Sequence, residues 1–315
     1  IRRRCEHAAR DAERRFAQLY NGADCLIVQS RHLVDYWRER GVIVPIEVVG
    51  RPVDPERFDA PMRADPFPTH FKRGQRLLVV CRHDREKGLD HLIRLCAERI
   101  FPQASEATLT LVGDGHAHEH LKAQAMDTPF RERFHFAGEV AHERTVDWYR
   151  HADLFTYTSL SETFGNVVNE ALWCALPVVA MDDDMGVSHQ VRPNTNGLLI
   201  RPGQSRSDAD FAEACLTLLR APSRRRRLGL SAANMARESA HPDTIMSRFE
   251  AIYEDAEEHC KSRVPRPLSE APLRAQVKAF AFHMGRWAWG HSTLLSLAYA
   301  GLSLGASKPR RSEGS

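Results

Sequence analysis

Two carboxylates eight positions apart, Glu162 and Glu170, flank a Phe164-Gly165 pair in a stretch that runs from Ser159 to Glu170. An apolar run follows from Ala171 to Leu176, and Pro177-Val178-Val179-Ala180 reads as a short buried strand. The spacing fits a loop ending at Gly165, a helix over 165–176 and a return into a sheet. Amides at the start of that helix lack carbonyl partners, and the helix N-terminus carries partial positive charge. A phosphate suits such a place, and the two acids could each accept hydrogen bonds from hydroxyls. The plainer reading is a Glu-rich loop before an ordinary amphipathic helix.

Further residues decide between the two. Arg82 ends one apolar run and Lys87 starts the next helix five residues later. A cationic pair at a strand-to-helix turn suits a diphosphate, since Arg can bind in bidentate fashion and Lys adds a compact charge. Leu111-Val112-Gly113-Asp114-Gly115 is a strand and a turn, read as a structural edge because Asp repels phosphate. Phe136-Ala137-Gly138-Glu139-Val140 is another strand-ending turn. Asp182-Asp183-Asp184 holds the D-x-D spacing that can bind a divalent cation under a diphosphate, but Arg82 and Lys87 already supply positive charge, so no metal is expected. His116, His118 and His120 lack the context of a zinc site and read as a polar helix start. The run Arg224 to Arg227 reads as a solvated helix face.

These residues need a scaffold that gathers strand ends. Strands are expected at 77–81, 108–112, 133–137, 153–157, 177–181 and 197–200. Helices are expected between them at 88–100, 117–126, 142–151, 165–176 and 186–191, then at 208–220, 222–239 and 242–259. Such alternation predicts an α/β fold, a parallel sheet with helices on both faces, whose ligands bind at the carboxyl ends of the strands. Before it, a helix over 4–20, a strand at 23–28, a helix over 31–40 and a strand at 46–49 form a smaller αβαβ piece.

Glu162-Thr163-Phe164-Gly165 through Glu170, followed by Ala-Leu-Pro-Val-Val-Ala, resembles the donor-site signature of the retaining family-4 glycosyltransferases of GT-B fold, the glycosyl transferases group 1. The likeness runs from about Asp24 to Glu258. It implies two Rossmann-like domains, with residues 1–58 the end of the acceptor-binding domain, 59–75 the interdomain linker and 76–241 the nucleotide-sugar domain. Residues 242–260 would be the helix that crosses back, and 261–315 a tail. By this resemblance Glu162 would bond the donor sugar and Glu170 the ribose hydroxyls. The amides of Phe164, Gly165, Asn166 and Val167 would bind the distal phosphate together with Arg82 and Lys87, which also stabilise the leaving group. Gly138, Glu139 and Val140 would read the base. Glu162, Arg82 and Lys87 are thus the catalytic candidates. The donor would be UDP- or GDP-linked, with no cofactor and no metal, and the acceptor a glycan or lipid. One departure stands out: where the family has a Gly-Gly turn and an acid, this chain has Asp184-Met185-Gly186-Val187-Ser188-His189-Gln190.

The bulk properties agree with a globular enzyme. Of 315 residues, 43% are hydrophobic and 27% charged, and 44 Lys and Arg against 41 Asp and Glu leave a net charge of +3, too mild to argue for nucleic acid. Seven cysteines without a C-x-x-C pair read as free thiols in a reducing, cytoplasmic compartment. The chain opens at Ile1 inside a charged helical pattern, without a signal-peptide pattern, and is expected to lack its N-terminal part. Residues 279–306 are rich in Ala, Leu, Trp and Gly; Trp287 to Ala306 approaches the ~20 residues of a bilayer span, though an interfacial or core-packed helix pair fits better, and with it a peripheral place at the inner face of a membrane. Two rivals stay open: a nucleotide-sugar-binding protein without turnover, truncated or regulatory, and a membrane-bound scaffold.

Overall fold

A computed structural model describes residues 2–262; the apolar stretch 279–306 lies outside them. Residues 1–260 form one compact unit. In chain order the described elements are α1 (Arg2–Tyr20), β1 (Leu26–Val28), α2 (Arg31–Glu39), β2 (Ile46–Val48), α3 (Pro55–Phe58) and β3 (Arg76–Val80). There follow α4 (Leu89–Leu95), β4 (Thr108–Val112), α5 (His118–Met126), β5 (Phe134–Gly138), α6 (Thr145–His151), β6 (Leu154–Tyr157), α7 (Asn166–Trp173) and β7 (Val178–Met181). The rest are α8 (Gly186–Gln190), β8 (Gly197–Ile200), α9 (Ser207–Arg220), α10 (Pro222–Ala240) and α11 (Pro242–Ser262).

Strands β3 to β8 make one parallel sheet in the order β5-β4-β3-β6-β7-β8, while β1 and β2 pair in a small parallel sheet. The chain moves outward from β3 through β4 to β5, then returns to place β6 on the other side of β3. That reversal opens a crevice between β3 and β6 at their carboxyl ends, the position where open α/β sheets bind ligands. Every residue of β3, β4, β6 and β7 is buried, as expected of parallel strands covered on both faces.

Local structure departs from the sequence expectations where tertiary contacts intervene. The helix expected over 88–100 is α4 followed by a π-helical turn, Cys96–Ile100, and the one expected over 142–151 starts as a 3-10 turn, His142–Arg144, before α6. The strand expected at 23–28 is shortened to β1. In the stretch expected as a linker, Phe67 and Phe71 are buried in the same large core as Val53 and Phe58. Cation–π contact of Arg76 with Phe67, and the Arg76–Asp65 ion pair at 2.7 Å, fasten this segment to β3. Helix α11 returns to the small sheet, where Ile245 and Ile252 share a cluster with Val49.

Candidate functional site

The crevice between β3 and β6 holds a polar cluster centred on Glu162. Lys87, in the 3-10 turn Arg85–Lys87 after β3, places Nζ 2.6 Å from Glu162 Oε1 in the loop after β6. The two side chains are 13% and 12% exposed, so this is a shielded pair rather than a surface one. Tyr157, the last residue of β6, donates to the same oxygen at 2.8 Å, and Ser159 Oγ does so at 2.7 Å. Burial, then the nearby Cys81 and Glu162, push the Tyr157 phenol far above its usual range, so it remains a donor.

Gly165 takes a left-handed conformation, φ 80°, just before α7. This ends the loop sharply and leaves the first-turn amides of Asn166 and Val167 without intrahelical acceptors. The loop's other side is tied to the segment after β7. Asp183 accepts from the amides of Glu162, Met185, Val187 and Ser188 at 3.3, 2.9, 3.2 and 3.0 Å, and Gly186 donates its amide to the Glu162 carbonyl at 2.8 Å. A Cβ on Gly186 would lie 2.5 Å from Phe164 Cα, so only glycine lets the two segments meet. Gln190, in the segment that departs from the family pattern, donates to the carbonyls of Phe164 and Gly165. It therefore fastens the Phe164-Gly165 turn from outside. Within the aspartate triplet Asp183 serves as a backbone cap and Asp182 accepts from the Asp184 amide at 3.1 Å, and among the described residues no group of three or more His, Cys, Asp or Glu is placed to hold a metal.

Glu170 lies on the second turn of α7, half-buried, and accepts from Tyr149 Oη at 2.9 Å through Oε2. Burial pushes its carboxyl above the ordinary 4.5, opposed by that hydrogen bond and by the charges of Arg57 and His142. Arg57 belongs to α3, yet it bonds His142 and donates to Thr145 Oγ1 at 2.6 Å. Thr145 in turn lines a cavity of about 580 Å³ at the carboxyl ends of β3, β4 and β5, together with Arg82, Gly113, Glu139 and Val140. A register shift in the pairing of β4 with β5 sets Gly138 beside Val112 at this rim.

The sequence-derived residues thus fall into two groups. Lys87, Glu162, Phe164, Gly165, Asn166, Val167 and Glu170 surround the start of α7; Gly138, Glu139, Val140 and Arg82 belong to the β3–β5 rim. Arg82 is 72% exposed and turns to Asp84 at 2.9 Å and Glu86 at 3.5 Å instead of toward Glu162. His118 faces His83, Nδ1 to Nδ1, at 3.0 Å, and Asp114 at 3.3 Å. Sequence reasoning missed Tyr149, Tyr157, Ser159 and Arg57. Ser159 and Tyr157 stand within five positions of Glu162 and could have been flagged; Tyr149 and Arg57 left no local signal.

Comparison with known proteins decides the family. Residues 63–235, just over half of the chain, match the model of the glycosyl transferases group 1. The chain belongs to that family. A D-inositol 3-phosphate glycosyltransferase of Nocardia farcinica is 36% identical over 152 residues, 46% of this chain and 33% of that protein. A GDP-mannose-dependent alpha-mannosyltransferase of Mycobacterium tuberculosis is 28% identical over 251 residues, 78% of this chain and 58% of the relative. The chain thus spans between a third and somewhat over half of these relatives. Among solved structures, Anabaena HepE in complex with UDP superposes with a TM-score of 0.68 at 22% identity, covering 79% of this chain and 69% of that one. Staphylococcus aureus TarM gives 0.65 at 18%, covering 77% and 46%. These likenesses show that the family member has the α/β, GT-B type of fold. No helix of the described residues is long and apolar enough to cross a membrane.

Proposed function

We propose that the protein transfers a sugar from a nucleotide-diphosphate sugar to an acceptor hydroxyl, with retention of anomeric configuration and without a metal ion. The observation that carries this reading is the meeting of Lys87, Glu162 and the open amides of α7 at the sheet's switch point. The base would lie along Gly138–Val140 and the ribose hydroxyls on Glu170, whose half-buried carboxylate has room for further donors. The distal phosphate would sit on the amides from Phe164 to Val167 with Lys87, and Arg82 would leave its carboxylates to join it. Preorganised cations and amides offset the charge that develops as the C1–oxygen bond to the diphosphate breaks. The acceptor oxygen bonds C1 on that same face, and its proton passes to a phosphate oxygen of the leaving group. A glycan or lipid at a membrane surface is the acceptor class we favour.

Calorimetric titration with UDP, GDP and ADP in EDTA tests the site. The HepE structure contains UDP and the mycobacterial relative is named for GDP-mannose, so both bases belong in the panel. One nucleotide should bind, and Glu170→Ala should weaken it about tenfold or more, a larger loss than Lys87→Arg causes. Equal, negligible losses in the two variants would count against the assignment. Release of nucleotide from the matching sugar donor then separates turnover from binding alone.

A further inference from the structure

Glu162 is gripped by three donors on one oxygen. Lys87 Nζ, Ser159 Oγ and Tyr157 Oη lie 2.6, 2.7 and 2.8 Å from Oε1. An ionised carboxylate has about four lone-pair sites over its two oxygens, so Oε1 is crowded. Among the described residues no hydrogen bond or ion pair reaches Oε2. The two oxygens of one side chain are therefore differentiated: one is anchored and the other is available.

The donors differ in what else they can do. Lys87 comes from the β3 side of the crevice and is the cation that the proposed mechanism also gives to the diphosphate. Tyr157 and Ser159 are neutral and come from β6 and the residues just beyond it. Tyr157 is 2% exposed, its backbone pairs with Ala180 of β7, and its ring stacks on Phe155 with centroids 5.7 Å apart. Packing alone would be met by any large apolar side chain here, so the hydroxyl has a use of its own. We propose that Tyr157, seconded by Ser159, is a positioning residue that keeps Glu162 Oε2 turned to the donor sugar while Lys87 is drawn to the diphosphate.

The inference rests on the donor-site reading, and the two can fail separately. The test measures binding of a nucleoside diphosphate and of the matching nucleotide sugar to the wild type, Tyr157→Phe and Tyr157→Phe/Ser159→Ala. The phenylalanine retains the ring and its packing. Expected in Tyr157→Phe is a loss of about tenfold for the nucleotide sugar and less than about twofold for the nucleoside diphosphate, with the double variant losing more for the sugar alone. Turnover should show the same loss as a donor KM raised about tenfold, with a further fall in kcat because the sugar that does bind is held less well at Glu162. Equal weakening of both ligands would mark a merely structural residue and overturn the inference. Unchanged sugar binding would overturn it too while leaving the donor site standing. A folded wild type that binds neither ligand overturns the site and the inference together.

Discussion

Tyr149 Oη donates to Glu170 Oε2 at 2.9 Å, joining two helices, α6 and α7, that pack on each other beneath the proposed ribose position. Burial raises the Glu170 carboxyl, and this hydrogen bond is the strongest of the influences that pull it down. Tyr149→Phe should therefore raise it further. A carboxylate accepts hydroxyl donors better than a carboxylic acid does, so nucleotide affinity in the variant should begin to fall at a higher pH than in the wild type. Titrations between about pH 5 and 8 check this, with a difference of about tenfold at the acid end. Superimposable profiles would detach Tyr149 from Glu170.

The same carboxyl has a signature in stability. Its folded value lies above the unfolded one, so the stability linked to it is intact below about pH 4.5 and is lost as pH rises through the folded value. Glu170→Gln cannot ionise and escapes that loss. The variant should gain on the wild type in denaturant midpoint as pH rises from about 4 to 7. A constant difference across that range would contradict an upward shift of this carboxyl on folding.

Asp183 spends both oxygens on backbone amides and on Ser188 Oγ, at 2.8 Å, rather than standing free beside Asp182. Asp183→Asn should cost about 2 kcal/mol of stability through the weakened cap, read by urea unfolding. Nucleotide affinity should be the same in EDTA and in magnesium. Magnesium-dependent binding abolished by Asp183→Asn, at unchanged stability, would return the triplet to a metal-binding role.

His83 is wholly buried against His118 and Phe136, and burial, then the His118 charge, lower it to about 4. A histidine whose folded value is depressed stabilises above its unfolded value, and that stability is lost as pH falls through the folded one. Unfolding midpoints should fall as pH drops from about 6.5 toward 4, and His83→Phe should flatten that slope. A slope unchanged in the variant would place the acid sensitivity elsewhere.

The alternation of strands and helices was legible because buried parallel strands are short apolar runs and their helices are amphipathic. The start of α7 was legible as well, since Gly165 and the apolar run after Glu170 mark it locally. The contacts of Lys87 with Glu162 and of Tyr149 with Glu170 were not. Lys87 reaches Glu162 across 75 positions and Tyr149 reaches Glu170 across 21, and nothing in either local pattern encodes the pairing. The family departure at Asp184–Gln190 reads on paper as a lost acid. In three dimensions Gln190 fastens the carbonyls of Phe164 and Gly165, a role that needs an amide donor and that a carboxylate could not fill.

The reversal of strand order between β3 and β6 also bears on how the chain assembles. Strands β3, β4 and β5 can associate with their sequence neighbours, but β6 must bypass two strands already in place to find β3. Lys87 and Glu162 stand on opposite sides of that seam. An intermediate with only the first three strands would bury much apolar surface and still lack the Lys87–Glu162 contact. Ligand affinity thus becomes a kinetic clock for the closing of that seam, a step of high contact order that is intrinsically slow.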